Sequence, residues 1–129
     1  MSKKLTIKDL LAQKEQLKKK KELRTQELYI ESLDADITIQ EPSRALALEA
    51  LEMAQEGKSD EADVYIVYHC VIEPDLKDKE LQKEFGCVEP TDIVTMIFRP
   101  GEISAISGFA LQLAGYGQGV RKVDRDLKN

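Results

Sequence analysis

The sequence predicts a mainly helical α+β fold: one helical domain carrying a small β-hairpin, with an exposed amphipathic helix at its N-terminus. Three observations predict it. Apolar residues recur at helical spacing between clear start and stop residues, most plainly from Ser43 to Gly57. β-branched and aromatic residues stand on both sides of an aspartate-rich turn near Asp34. Charge divides the chain: residues 1–24 carry nine Lys/Arg and three acids, a net +6, whereas the other 105 residues carry a net −11. This is a basic arm on an acidic body, a division that marks an interaction segment.

In chain order, Thr6 and Asp9 have the form of a capping box with a shorter acid. They open a helix of good helix formers from Ile7 to about Lys21, with Ile7, Leu10, Leu11 and Leu17 as a thin apolar stripe and Lys18 to Lys21 as a basic run. Leu28-Tyr29-Ile30 and Ile37-Thr38-Ile39, with Asp34-Ala35-Asp36 between them, predict the hairpin, which is too small to stand without a helix beneath it. Ser43 caps the next helix after Pro42. Leu46, Ala47, Ala50, Leu51, Met53 and Ala54 give that helix a broad apolar face, and Gly57 ends it. Val64 to Ile72 is apolar except for His69, so a buried strand and a buried helix both fit. Ser59 with Asp60, Glu61 and Asp63 as a start, and Pro74 as a stop, favour a central helix over residues 59–72.

A short helix is expected within Asp75 to Phe85, ended by Gly86. Glu89-Pro90 should open another, with Pro90 in its first position and Ile93, Val94, Ile97 and Phe98 on one face. Pro100-Gly101 breaks the chain before a last helix with Ile103, Ile106, Ala110 and Leu113 along one side. Gly115, Gly117 and Gly119 lead into a charged tail. The expected organisation is a basic N-terminal helix or arm over 1–24, a helical domain with its hairpin over 25–116, and a flexible tail over 117–129.

A chain of 129 residues buries enough surface for one core without metals or disulfides. With 33% charged residues, 5% aromatics and no Trp, it lacks the makings of a deep aromatic pocket or a base-stacking platform. Cys70 and Cys87 are too few for a zinc set or a disulfide framework and imply reduced thiols in a cytosolic protein. Neither a membrane span nor a secretory signal is legible, since Lys8, Asp9, Lys14 and Glu15 interrupt the N-terminal segment.

The one histidine, His69, stands beside Cys70, but neighbours on a helix point about 100° apart and share a proton poorly. A core or boundary histidine with a satisfied hydrogen bond is the better reading. Asp34 and Asp36 read as turn residues, and Glu73, Glu89 and Glu102 as caps of helix starts. Gly115 to Gly119 follows a helix and lacks the Lys-Ser/Thr of a phosphate loop. No catalytic, cofactor-binding or metal-binding residues are assigned, and no cofactor is expected. The chain reads as a non-enzyme.

Several segments carry a resemblance: Tyr68-His69-Cys70-Val71-Ile72-Glu73-Pro74-Asp75-Leu76-Lys77-Asp78-Lys79-Glu80-Leu81, Gly86-Cys87-Val88-Glu89-Pro90-Thr91-Asp92-Ile93-Val94, Pro100-Gly101-Glu102-Ile103 and Leu113-Ala114-Gly115-Tyr116. With Leu28-Tyr29-Ile30, Ile37-Thr38-Ile39 and Glu41-Pro42-Ser43 upstream, the ordered series from about Leu5 to Tyr116 resembles the phage XkdN-like tail assembly chaperones of PBSX-type prophage tail operons. Asp75 stands where Asn is usual. The resemblance implies a non-catalytic chaperone that coats the helical tape measure protein and helps tail tube subunits gather on it. It further implies an assembly factor of the host bacterial cytoplasm that is left out of the mature virion.

A holdase needs amphipathic surface ringed with charge. The expected partner-binding residues are accordingly Ile7, Leu10, Leu11, Leu17, Lys18 and Lys21. The expected partners are the tape measure and tail tube proteins, with self-association also open. The rival readings are a minor structural tail or connector protein of the virion and a DNA-binding regulator using the basic helix. The acidic body and the lack of interleaved aromatics weigh against nucleic acid.

Overall fold

A computed structural model describes residues 3–19 and 22–123. Two short helices come first, α1 (Ile7–Ala12) and α2 (Lys14–Lys19). Strands β1 (Thr25–Ile30) and β2 (Ala35–Gln40) follow, joined through a 3-10 turn at Glu31–Leu33. Next come α3 (Arg44–Gln55), α4 (Ser59–Cys70), β3 (Val71–Glu73), α5 (Lys79–Glu84), α6 (Asp92–Ile97) and α7 (Pro100–Leu113). The predicted α+β class holds: helices dominate and the sheet is small.

The hairpin forms where the alternation places it. Leu28 pairs with Ile37 and Ile30 with Ala35 across an antiparallel ladder, and Ile30, Ile37 and Ile39 turn into the core. The turn sits earlier than the aspartates suggest. It closes at Asp34, the one described non-glycine residue with positive φ (48°), while Asp36 lies within β2 opposite Tyr29. An aspartate tolerates this left-handed conformation better than most residues, and its carboxylate accepts a 2.6 Å hydrogen bond from the Tyr29 hydroxyl.

The sheet has a third strand that the sequence reading lacks. Helix α4 forms as expected but ends at Cys70, and Val71 to Glu73 add to the free edge of β2 to give the order β1-β2-β3. The cause is double. Pro74 disfavours helical geometry at the residue before it, and β2 offers unpaired backbone groups that a short extended segment satisfies. Glu73 is therefore a strand residue, accepting a 2.8 Å hydrogen bond from the Thr38 hydroxyl, rather than a helix cap.

Other local readings shift as well. The predicted helix over 7–21 is broken at Gln13, and Lys20 and Lys21 lie outside the described residues. Pro90 stands two residues before α6 rather than in its first position. The N-cap position there is Thr91, which makes no side-chain cap hydrogen bond, and the carboxylate of Asp92 in the first turn accepts from the backbone N–H groups of Val88 and Glu89, so Glu89 does not cap the helix start. Pro100 opens α7 at its first position instead of breaking the chain before it, and Glu102 reaches back to the Arg99 N–H at 2.8 Å, as expected of a cap. Helix α3 matches its prediction at both ends. Ser43 Oγ accepts from the Leu46 N–H, and Gly57 (φ 82°) turns the chain so that Lys58 N–H reaches the Met53 carbonyl.

Helix α4 is the centre of the molecule. It packs against α3, α6 and α7, and its end continues into β3. Ile66 and Val67 on α4, Ile39 on β2, Leu76 in the loop after β3, and Ile93 and Val94 on α6 are almost wholly buried there.

Candidate partner-binding surfaces

Among the described residues, His69 and the two cysteines do not converge on one site. His69 is half-buried near the end of α4, edge-on to Tyr65 and Tyr68 with ring centroids 4.7 and 5.1 Å away. Its Nδ1 lies 3.0 Å from Lys77 Nζ. An ammonium group only donates, so Nδ1 accepts and the ring proton sits on Nε2. This is the satisfied boundary histidine that the sequence suggests. Burial first, and the Lys77 charge second, hold its pKa below the ordinary 6.5. Cys70, next in sequence, points into the core. Among the described residues no group of three His, Cys, Asp or Glu side chains could hold a metal ion.

The histidine has a consequence for stability. Folding favours its neutral form, so the unfolded chain takes up the proton first. Stability is complete above about pH 6.5 and is expected to decline as pH falls below that value toward the lower folded pKa. Urea unfolding of wild type and His69→Gln at about pH 7.5 and about pH 5.5 measures this. The substitution should flatten the dependence, and an equal loss in both proteins would remove His69 as its source.

Helix α1 presents three residues of the predicted stripe, Ile7, Leu10 and Leu11, to solvent. Thr6 and Asp9 make a reciprocal capping box, each backbone N–H donating to the other's side chain at 3.1 Å, and the Thr6 hydroxyl first, then the Thr6 backbone N–H, hold the Asp9 carboxyl below its ordinary pKa. The helix start is thus pinned without help from the body. Ile7, Leu10 and Leu11 fall on one face of α1 at i, i+3 and i+4. Ile7 is 76% exposed and Leu11 68%, and no residue of α1 or α2 is buried. The structure brings these three together. Leu17, half-buried, and Lys18, exposed, lie on α2 beyond the break at Gln13, and Lys21 lies outside the described residues.

A second apolar surface escapes the sequence reading. Helices α3 and α7 both pack on α4 but make no extensive contact with each other. A groove of about 340 Å³ remains between them, floored by α4 through Ala62 and Ile66. Its walls include Leu48 and Leu51 of α3, Leu111 of α7 and, past that helix, Tyr116. Leu48 and Leu51 are about half exposed. Among the described residues, the only charged side chain lining the groove is Asp63. Ser107 of α7 also lines it, and its Oγ is buried without a hydrogen-bond partner. A helical serine usually bonds the carbonyl one turn back, so this hydroxyl is an unmet polar group in an apolar wall. The sequence held one clue: the apolar arc of α3, from Leu46 round to Leu51, is wider than a single neighbouring helix covers.

No helix among the described residues is long and apolar enough to cross a membrane. A compact α+β body with a charged exterior, carrying exposed apolar side chains on α1 and in an open groove, is equipped to work by contact with other chains. The chain belongs to the phage XkdN-like tail assembly chaperone family, whose family model matches residues 7–128. Its general role is therefore in phage tail assembly, as the resemblance over Leu5 to Tyr116 implies. No curated protein matches the chain significantly, and no solved structure does.

Proposed function

We propose that this chaperone acts without catalysis, in the host cytoplasm, by covering apolar helical segments of the tape measure protein while tail tube subunits assemble, and that it leaves before the virion is complete. The arm of residues 1–24 supplies the contact through Ile7, Leu10, Leu11 and Leu17, with Lys18 and Lys21 as the basic flank. The observation that carries this reading is the exposure of Ile7, Leu10 and Leu11 on one capped helix that buries none of its residues. A helix that merely completed the fold would bury that stripe on the hairpin. Amphipathic helices recognise partner helices through such i, i+3, i+4 anchors.

Co-expression with the tape measure gene tests the proposal. Leu10→Asp/Leu17→Asp is expected to abolish co-purification of the tape measure while leaving the circular dichroism spectrum and melting temperature unchanged, because neither side chain belongs to the core. Undiminished co-purification removes the arm as the contact. Mass spectrometry of purified particles checks the second half: the chaperone should be missing, and its presence at stoichiometric amounts would make it a structural subunit.

A further inference from the structure

Strand β1 lies at the edge of the sheet, and its outer side is chemically unfinished. The Glu41 N–H donates to the Arg24 carbonyl at 2.8 Å, just beyond the six-residue ladder with β2. By the alternation of an antiparallel pair, Arg24, Gln26, Leu28 and Ile30 therefore turn their backbone groups toward β2. The N–H and C=O groups of Thr25, Glu27 and Tyr29 point the other way. The Glu27 carbonyl fits this sense, since it takes a 3.1 Å bond from the Gln26 side-chain amide. Such a row of backbone groups is a template for one more strand, and proline, bulges or short length usually blunt it. The opposite edge is blunted, because β3 is three residues long and stops before Pro74. β1 is not: it contains no proline and pairs in unbroken register over Thr25–Ile30.

A cleft of about 380 Å³ runs beside that edge. Among the described residues it is lined by β1, the turn residue Glu31 and α7, and by nothing from β2, so it opens on the outer side of β1. Its α7 wall offers the half-exposed Phe109 above the buried Ile106, and Leu28 and Ile30 bring the apolar face of β1 to the same place. Its charged lining residues are Glu27, Glu31 and Glu102, with no base among them. The Arg99 N–H first, then the Ser32 hydroxyl, hold the Glu102 carboxyl below its ordinary pKa, so that charge is kept at neutral pH. Side chains alternate between faces along a strand. A strand laid against β1 thus puts every second side chain toward Phe109 of α7 and the others on the side of Glu27.

We propose that the cleft between β1 and α7 receives an extended segment of another protein, with apolar side chains at every second position and lysine or arginine between them. The guest backbone bonds to the outward groups of Thr25, Glu27 and Tyr29. Its apolar side chains cover Phe109, and its bases meet Glu27 and Glu31. This surface is separate from the arm and uses strand addition in place of helix contact. The chain can therefore hold two partners, or two segments of one, at the same time.

A fluorescein-labelled heptapeptide alternating valine and lysine is the probe. Fluorescence anisotropy with the purified full chain should show saturable binding. The same peptide N-methylated along its backbone keeps its charge but cannot donate to the edge, and it should bind at least about tenfold more weakly. A valine–glutamate version should not bind. Glu27→Pro removes one outward N–H and leaves the ladder with β2 intact, as an edge strand tolerates. Phe109→Asp spoils the helical wall at a half-exposed position. Each should weaken binding at least about tenfold with an unchanged circular dichroism spectrum. Hydrogen exchange followed by NMR gives a readout that needs no variant: the peptide should slow exchange at Glu27 and Tyr29, while Gln26, Leu28 and Ile30, already bonded to β2, change little. Absence of binding by the valine–lysine peptide, or equal binding of its N-methylated form, overturns the proposal. So does protection of Glu27 and Tyr29 in the free protein that rises with its own concentration, because that result puts a second copy on the edge. None of these changes touches Ile7, Leu10 or Leu11, so loss of peptide binding and loss of tape measure co-purification are separate results.

Discussion

Ile39→Ala is expected to lower the unfolding free energy by about 2–5 kcal/mol, a large share of the roughly 5–15 kcal/mol that holds a domain of this size together. Ile39 is fully buried in the middle strand, with β1 paired on one side through Gln26 and Val71 of β3 on the other. Truncation removes three carbons from a site where neighbouring elements are tied by backbone hydrogen bonds and cannot close in. The cost is therefore the lost transfer energy plus most of a cavity. Ile39→Val should cost about 0.5–1.5 kcal/mol. Ile7→Ala, at an exposed position outside the core, should stay within about 0.5 kcal/mol of wild type. Urea denaturation followed by circular dichroism ranks the three. An Ile39→Ala protein as stable as Ile7→Ala would mean that the sheet is not part of the core.

The two cysteines are expected to differ widely in alkylation. Cys70 is 1% exposed, and burial pushes its thiol from the ordinary 9.0 up to about 12 against the opposing charge of Lys77. The thiolate is the reactive form, so at neutral pH its population falls by about a thousandfold, before access is considered. Cys87 is half-buried after α5, its sulfur 3.9 Å from that of Met96. Iodoacetamide followed by peptide mass spectrometry should label Cys87 in the native protein and Cys70 only as fast as the chain unfolds. Equal labelling rates under native conditions would contradict the packing of α4 against β3. The same burial keeps the adjacent His69 and Cys70 from acting as a pair, since one faces Lys77 and the tyrosines and the other faces the core.

Much of this architecture is written in local signals. Ser43 and Gly57 bracket α3 because a hydroxyl and a positive-φ residue are needed at those places whatever packs around them. Alternation at Ile37 and Ile39 gives the hairpin for the same reason. What escaped has non-local causes. Three residues of β3 contain no period, and they become a strand because β2 has an open edge nearby. The break at Gln13 lies among good helix formers, and propensity does not mark it. The arm's stripe was legible in Ile7, Leu10 and Leu11 because it is a property of one helix. The groove was not, because it is a gap between α3 and α7, and which helices leave a gap depends on how both rest on a third.

The passage from α4 to β3 has a mechanical meaning. Cys70 ends the helix and Val71 begins the strand, with no loop between them to take up slack. The groove floor and the sheet edge are two ends of one lever. Any guest that rolls α4 about its axis must also pull on the pairing of Val71 with Ile39, where the ladder is already irregular between Thr38 and Ile39.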